Sequence, residues 1–370
     1  MIVSPVDPSD RSELRRFVAL ERELWGHHPL YWSEFDADLI KRFRGESAFN
    51  REMDHKLFVL TDGSGDRLGR AVGYVNRRWQ RQRGVAAGFI GNFCFGPGSR
   101  PDQVSELFGV VEDWLKQEGC TRVIAGIDGT GALGVGVLTA DHDASPRYPL
   151  KWHPHEYADL IEAVGYQPVR RFWVYLIRFD SDGYRTAVSR SIRNAACDIR
   201  PVERRRWKSE IALVRNLFNA TFEDEWEMNE YTEEEFIETW GQMRWILDPQ
   251  AFLIAEVDKE PAGFCLGLPD ITPLMRSFRG RLGPISMIRM LRGVSKAQRH
   301  GLFVVGVRER FRGRHIAQSL ACNLYRHYER QGSKSAAYYY VDDKNLASRH
   351  VAESLGAEGD IKLTCYQKSL

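Results

Sequence analysis

The segment with the clearest chemical potential is VVGVRERFRGRHIAQSL, residues 304–320. An apolar strand runs into a loop carrying Arg312, Gly313 and Arg314. That loop opens directly onto an amphipathic helix marked by Ile316, Leu320, Leu324 and Tyr328. The first N–H groups of a helix have no partner within it, and the helix dipole favours negative charge, so such a loop can hold phosphate oxygens. Arg312 and Arg314 would add positive charge. An ordinary strand–helix connection with solvated arginines has the same composition, and the loop alone leaves both readings open.

Two charge blocks flank this segment in the sequence. Between Asn216 and Met243 stand nine acids and no Lys or Arg: Glu223, Asp224, Glu225, Glu227, Glu230, Glu233, Glu234, Glu235 and Glu238. An acidic mouth would draw a cationic amine, and an acidic helix start facing solvent would look the same. Residues 271–308 reverse the pattern, with eight basic residues (Arg276, Arg279, Arg281, Arg289, Arg292, Lys296, Arg299 and Arg308) and no acid. This stretch, with its apolar run GPISMIRML, could cover a site or dock an anionic partner.

The elements that would position these residues occur twice. LFVLTDGSGDRLGRAVGYV (57–75) and AFLIAEVDKEPAGFCLGL (251–268) both read as strand, polar turn, strand. Each is followed by an apolar strand, 86–95 or 301–307, and then by a helix. Leu107, Val110, Val111, Trp114 and Leu115 mark the helix of the first half. Strands 121–128 and 335–341 come next, then short helices ending in glycine at EAVGY (162–166) and ESLGA (353–357), and a closing strand pair is expected in each half. Helices open both halves; Ile211, Val214, Leu217, Phe218 and Phe222 share one face, and Thr232 with Glu235 predicts a capping box. The strand–helix–strand centre implies one parallel pair within an otherwise antiparallel sheet. The fold class is therefore α/β with a mixed α+β sheet. Residues 1–180 form one domain, 181–195 a linker, and 196–370 the second domain.

Composition agrees with two folded domains. The chain has 370 residues, 28% charged, and a net charge of +2. That balance gives no global reason to expect nucleic acid or a membrane as partner. No apolar run approaches the roughly 20 residues that span a bilayer. The N-terminus lacks the basic and apolar pattern of a secretory leader, so a cytoplasmic location is expected. Cys94, Cys120, Cys197, Cys265, Cys322 and Cys365 lie far apart without a Cys-x-x-Cys pair, so neither disulfides nor a metal site are expected.

The two segments Arg312-Gly313-Arg314-His315-Ile316-Ala317 and Asn345-Leu346-Ala347-Ser348, the latter leading to Leu355-Gly356-Ala357, together resemble the acetyl-CoA site of the GNAT superfamily (Gcn5-related N-acetyltransferases). That family carries Gln/Arg-x-x-Gly-x-Gly/Ala at its central helix; here the Arg and the last Ala match, while His315 stands where a glycine is expected. The resemblance covers about 196–370. Residues 1–180 look like a second GNAT fold, but GPGSRPD replaces the phosphate loop, so this copy is expected to be structural or to wall off the acceptor pocket. The resemblance implies that Val305 and Val307 bond the pantetheine arm, that residues 313–317 hold the pyrophosphate, and that Asn345, with Ser348, contacts the cofactor. It implies an acyltransferase, with acetyl-CoA as cosubstrate and a small-molecule amine as acceptor. The family's usual acid, a Tyr, is replaced by Ala352, and strand 300–308 has no acid. Asp270 is the first substitute as base, followed by Asp343 and His300; Tyr340 and Tyr366 are candidate acids. The basic segment 271–308 suits an acidic carrier protein. A donor carried by tRNA or by a carrier protein, or a non-catalytic CoA-binding scaffold, are the alternative readings.

Overall fold

The computed structural model describes residues 1–193, 197–245 and 247–370. The first half runs β1 (Ile2–Val6), α1 (Arg11–Trp25), α2 (Asp36–Phe43), β2 (Met53–Thr61), β3 (Arg67–Asn76), α3 (Arg77–Arg83), β4 (Ala87–Phe95), α4 (Pro101–Gln117), β5 (Arg122–Ala125), β6 (Val137–Leu138), α5 (Glu156–Ala163) and β7 (Gln167–Arg178). Helix α6 (Asp182–Arg193) follows. The second half runs β8 (Asp198–Pro201), α7 (Trp207–Phe222), α8 (Glu233–Trp240), β9 (Phe252–Val257), β10 (Glu260–Pro269), α9 (Thr272–Phe278), α10 (Pro284–Val294), β11 (His300–Val307), α11 (Ile316–Arg330), β12 (Ser335–Asp342), α12 (Leu346–Ser354) and β13 (Glu358–Ser369).

Local chemistry accounts for these elements. The β9–β10 hairpin turns at Asp258 and Lys259, both with positive φ, the conformation a two-residue hairpin turn requires. The Thr232 side chain accepts the Glu235 N–H at 3.2 Å and the Thr232 N–H donates to Glu235 Oε2 at 2.8 Å, completing the capping box of α8. Helix α11 buries Ile316, Leu320, Leu324 and Tyr328, the stripe its periodicity predicts.

The sheet is continuous across the two halves. Its order is β1-β2-β3-β4-β5-β13-β7-β12-β11-β10-β9-β8, with β6 beside β13. Parallel pairs occur at β4–β5 and β11–β12. The expected closing strand pair in each half is replaced by one long strand. β7 leaves the first half to pair with β12, from Ser335↔Arg178 to Asp342↔Phe172. β13 crosses the other way to pair with β5, from Tyr366↔Ala125 to Ser369↔Arg122. The two exchanged strands lie antiparallel against each other at the centre, Glu358↔Leu176 through Gln367↔Gln167. Each half thus supplies the strand that completes its partner's sheet. One hydrophobic core accordingly includes Phe17, Phe89 and Ile161 from the first half and Phe218, Ile254 and Leu363 from the second.

The expected linker is also different. Residues 182–193 form α6, whose Tyr184 and Ala187 are buried, and the Tyr184 hydroxyl donates to Glu329 Oε2 on α11 at 3.2 Å. Linker positions 194 and 195 lie outside the described residues.

Candidate active site

The site begins where the parallel strands part. β11 and β12 pair only from His300↔Ala336 to Leu302↔Tyr338. Beyond this β11 stays with β10 as far as Val307↔Gly263, while β12 bulges at Tyr339 and Tyr340 and stays with β7. A wedge opens between Val304–Val307 and Tyr339–Asp342. The edge of β11 there carries backbone groups with no strand partner, the kind of edge an extended amide-bearing chain can pair with.

At the wide end of the wedge lies the phosphate loop. Gly313 has φ 79°, a left-handed conformation that glycine adopts without penalty. His315 has φ 59° and caps α11. Its backbone occupies the left-handed region although it carries a side chain. This explains why a glycine stands here in the related motif, and the exposed imidazole points away from the core. Arg312 is exposed and has no carboxylate partner within ion-pair distance among the described residues. Arg314 stacks on Phe311, 5.6 Å from the ring centroid. The loop therefore presents helix N–H groups and one unpaired guanidinium to an anion.

The corresponding wedge of the first half is closed. β4 bends at Asn92, φ 42°. The Asn92 backbone N–H and side-chain amide donate to Asp128 Oδ1 and Oδ2 at 2.6 and 3.0 Å. Gly91 lies so close to this segment that a Cβ would sit 2.5 Å from the Ile127 carbonyl oxygen. Helix α4 begins at Pro101, without an Arg-Gly loop.

One cavity of about 1230 Å³ connects the open wedge with a chamber built from both halves. Val305, Val307, Arg312, Gly313, His315, Ile316, Ala317, Asn345 and Ser348 all line it; Arg314 does not. The Asn345 side chain is engaged, accepting the Ser348 N–H at 2.9 Å and donating to Glu225 Oε1 at 2.7 Å. Its part in the site is to cap α12 and fix Glu225. Ser348 Oγ and the Tyr338 hydroxyl are 2.8 Å apart on the same wall.

The carboxylates expected to act as base sit elsewhere. Asp270 is buried outside the cavity lining. Its Oδ1 accepts the N–H groups of Thr272 and Tyr148, both at 3.0 Å, and its Oδ2 accepts Arg299 Nε at 2.7 Å. With its acceptor positions used, it braces the start of α9 against the first half and has no free lone pair for a substrate proton. Asp343, the first residue after β12, lines a separate pocket with Arg171 and Trp173. It is Asp342 that lines the cavity. Tyr366 is buried on β13 and carries a raised pKa from burial and the nearby Glu162. His300 is buried against Tyr328, which lowers its pKa to about 4. Neither lines the cavity, whereas Tyr340 does.

Three other carboxylates meet in the cavity wall. Oxygens of Glu225, Glu227 and Asp342 lie within 4.8 Å of one another. Glu227 Oε2 is buried without a hydrogen-bond partner. Burial, and then the charge of Glu225, raise the Glu227 pKa to about 8. Burial also raises Glu225 and Asp342. The first half holds this segment in place through backbone carbonyls. Gly131 N–H donates to Glu227 O at 2.8 Å, Trp79 Nε1 to Trp226 O at 2.8 Å, and Arg83 Nη2 to Met228 O at 3.0 Å. The acid block 223–238 was visible in the sequence; which member is desolvated depends on contacts with the other half. A second charged group, Lys151 between Glu34 and Asp128 at 2.5 and 3.2 Å, lines the first-half side.

The fold is that of paired GNAT domains. Residues 211–357 match the family model described as Acetyltransferase (GNAT) family. Among solved structures, the chain is similar to the tandem GNAT protein from the clavulanic acid biosynthesis pathway, at 11% identity and a TM-score of 0.58, covering 100% of this chain and 98% of that one. It is also similar to a GCN5-related N-acetyltransferase from Sphaerobacter thermophilus, at 17% identity and a TM-score of 0.51, covering 100% and 95%. The family match thus lies in the second half, and the whole chain shares the tandem GNAT fold. Among curated relatives, Protein YghO of Escherichia coli is 23% identical over 98% of this chain and 94% of its own. Bacterial ceramide synthase of Caulobacter vibrioides is 24% identical over 97% and 95%. No helix among the described residues is long and apolar enough to cross a membrane.

Proposed function

We propose that the protein transfers a long-chain acyl group from acyl-CoA to the amine of a long-chain amino alcohol, forming an amide. The observation that carries this reading is the cavity. It continues past the wedge into a chamber lined by Trp32, Phe35, Tyr148, Trp240, Leu268 and Met275, far more apolar room than an acetyl group and a small amine would fill. Similarity to a bacterial ceramide synthase over nearly the whole of both chains supports the same acceptor class, since a ceramide is an amide of this kind. Acetyl transfer to a small amine, the expectation from the phosphate loop alone, is the second reading.

The residues divide the work as follows. The β11 edge at Val304–Val307 would pair with the pantetheine amides, and the loop from Arg312 to Ala317 would hold the phosphates. Glu227, with its unpartnered oxygen, would take the proton from the substrate ammonium, and Glu225 and Asp342 would attract that cation. The free amine nitrogen then attacks the thioester carbonyl carbon. The C–N bond forms, the C–S bond breaks and the nitrogen sheds its second proton; the Tyr338 hydroxyl, coupled to Ser348, is placed to give its proton to the thiolate and to be reprotonated by the one the nitrogen releases through water.

The test is a matrix of acetyl-, octanoyl- and palmitoyl-CoA against a small primary amine and a long-chain amino alcohol. Each buried methylene contributes about 0.8 kcal/mol, so kcat/KM should favour the palmitoyl donor and long acceptor by about a hundredfold or more. A preference for acetyl-CoA and the small amine would establish the second reading. Activity only with acyl carrier protein thioesters would reject the CoA donor.

A further inference from the structure

Nine large apolar residues among those described are conspicuously exposed, and five of them fall within residues 282–291. Leu282 precedes α10; Ile285, Met287, Ile288 and Leu291 lie on it, with Ile285 75% and Ile288 53% exposed. With about 3.6 residues per turn Ile285, Ile288 and Leu291 share one side, Met287 lies round toward the other, and Met290 and Val294 point inward. The inward face packs on α9, where Met275 and Phe278 meet Trp32. The outward face has nothing over it.

Cations surround this apolar face. Arg279, Arg281, Arg289, Arg292 and Lys296 are exposed, and none has a carboxylate within ion-pair distance among the described residues. Segment 271–308 contains no acid. Arg292 lies between Ile285 and Ile288 on the helix surface, and Arg289 lies beside them, 5.5 Å from the Phe278 ring centroid. A helix whose protruding aliphatic side chains are interspersed with arginines matches a lipid interface: the aliphatic groups enter the acyl boundary while the long arginine side chains reach back to anionic headgroups. A partner recognised through charge alone would gain nothing from the exposed aliphatic row.

We infer that α10 is an interfacial helix that docks the protein on an anionic phospholipid surface. The placement gives the docking a consequence. Helix α9, directly beneath, contributes Met275 to the cavity wall, and the Gly280 carbonyl between the two helices accepts the Asp36 N–H at 2.8 Å, tying the helix pair to the first half. Docking on α10 would therefore set the acceptor end of the cavity against the membrane, where an amine with a long apolar tail resides. The binding inference goes beyond the acceptor proposed above and is measured without any substrate, so either can fail alone.

The test is co-sedimentation of the full chain with vesicles of phosphatidylcholine alone or mixed with equal phosphatidylglycerol. The native protein should sediment with the anionic vesicles and markedly less with neutral ones. Ile285→Glu with Ile288→Glu should reduce binding tenfold or more while keeping a native thermal melt. Arg289→Gln with Arg292→Gln should remove the preference for anionic lipid. Amide exchange over 284–294 should slow in the native chain when anionic vesicles are added, a readout that needs no variant. Absence of native binding, unchanged exchange at 284–294, or equal binding by the Glu variant would overturn the inference. Capture of a purified acidic acyl carrier protein without vesicle binding would overturn it in favour of a protein partner.

Discussion

Glu227 is the residue to which the proposed chemistry assigns proton removal. Its pKa of about 8 comes first from burial and then from Glu225; the residue lines the cavity, and its Oε2 is buried without a hydrogen-bond partner. A base must be deprotonated to act, so kcat/KM should rise with pH and level off above about 8. Glu227→Gln should lower turnover by about 10²–10⁴-fold and remove that limb, leaving acyl-CoA affinity within about twofold. The same raised pKa opposes folding as pH climbs: the native chain gains a proton here on folding between about 4.5 and 8, and that contribution is lost as pH rises through about 8. The variant should therefore gain thermal stability relative to the native chain at pH 8 compared with pH 5. A variant with native turnover and an intact alkaline limb would move the role to another group. The sequence showed the acid block containing Glu227 but not its burial. It also pointed to Asp343, one position from Asp342; that β12 ends between them and that only Asp342 lines the cavity is decided by the fold.

At the scale of elements, the exchanged strands β7 and β13 carry a prediction about folding. β13 bonds to both β5 and β7 and buries Ile361, Leu363, Cys365 and Tyr366. Deleting residues 358–370 leaves β5 and β7 each with one neighbour instead of two, breaks the sheet between them and removes four buried side chains. Burial of such side chains stabilises by about 1.5–3 kcal/mol each, comparable in sum to the whole stability of a domain. The truncated chain should be insoluble or lack a cooperative thermal transition in both halves. A fragment of residues 1–180 that melts cooperatively alone would contradict this. The hairpins and the α11 stripe were legible in the sequence, because their signals are local. The exchange was not: β7 and β13 are apolar strands of suitable length, and nothing local states whose sheet they complete.

For the whole molecule, two similar halves give one functional wedge. Asp128 and Asn92 fill the gap between β4 and β5, while the gap between β11 and β12 opens into the cavity. Calorimetry should return one CoA per chain. Arg312→Glu should weaken it tenfold or more, since a charge-assisted contact contributes about 1.5–3 kcal/mol and reversal adds repulsion. Two equal sites per chain, or an unchanged affinity in that variant, would refute the assignment of the loop. The first half contributes instead by holding the Glu227 segment through Trp79, Arg83 and Gly131 and by forming the far chamber wall.

The amino-acid order by itself determined the repeated element plan, the GNAT resemblance of the second half and the loop from Arg312 to Ala317, because periodicity, turn residues and helix starts are set by neighbours along the chain. Only the tertiary structure decided that the halves trade strands, that Asp270 is a brace held by Arg299 and Thr272, and that Glu227 is the desolvated carboxylate of its block. Those outcomes depend on residues 96 and 122 positions apart meeting, Gly131 with Glu227 and Tyr148 with Asp270. Burial and pairing of that kind are properties of the packed molecule, and no local pattern encodes them.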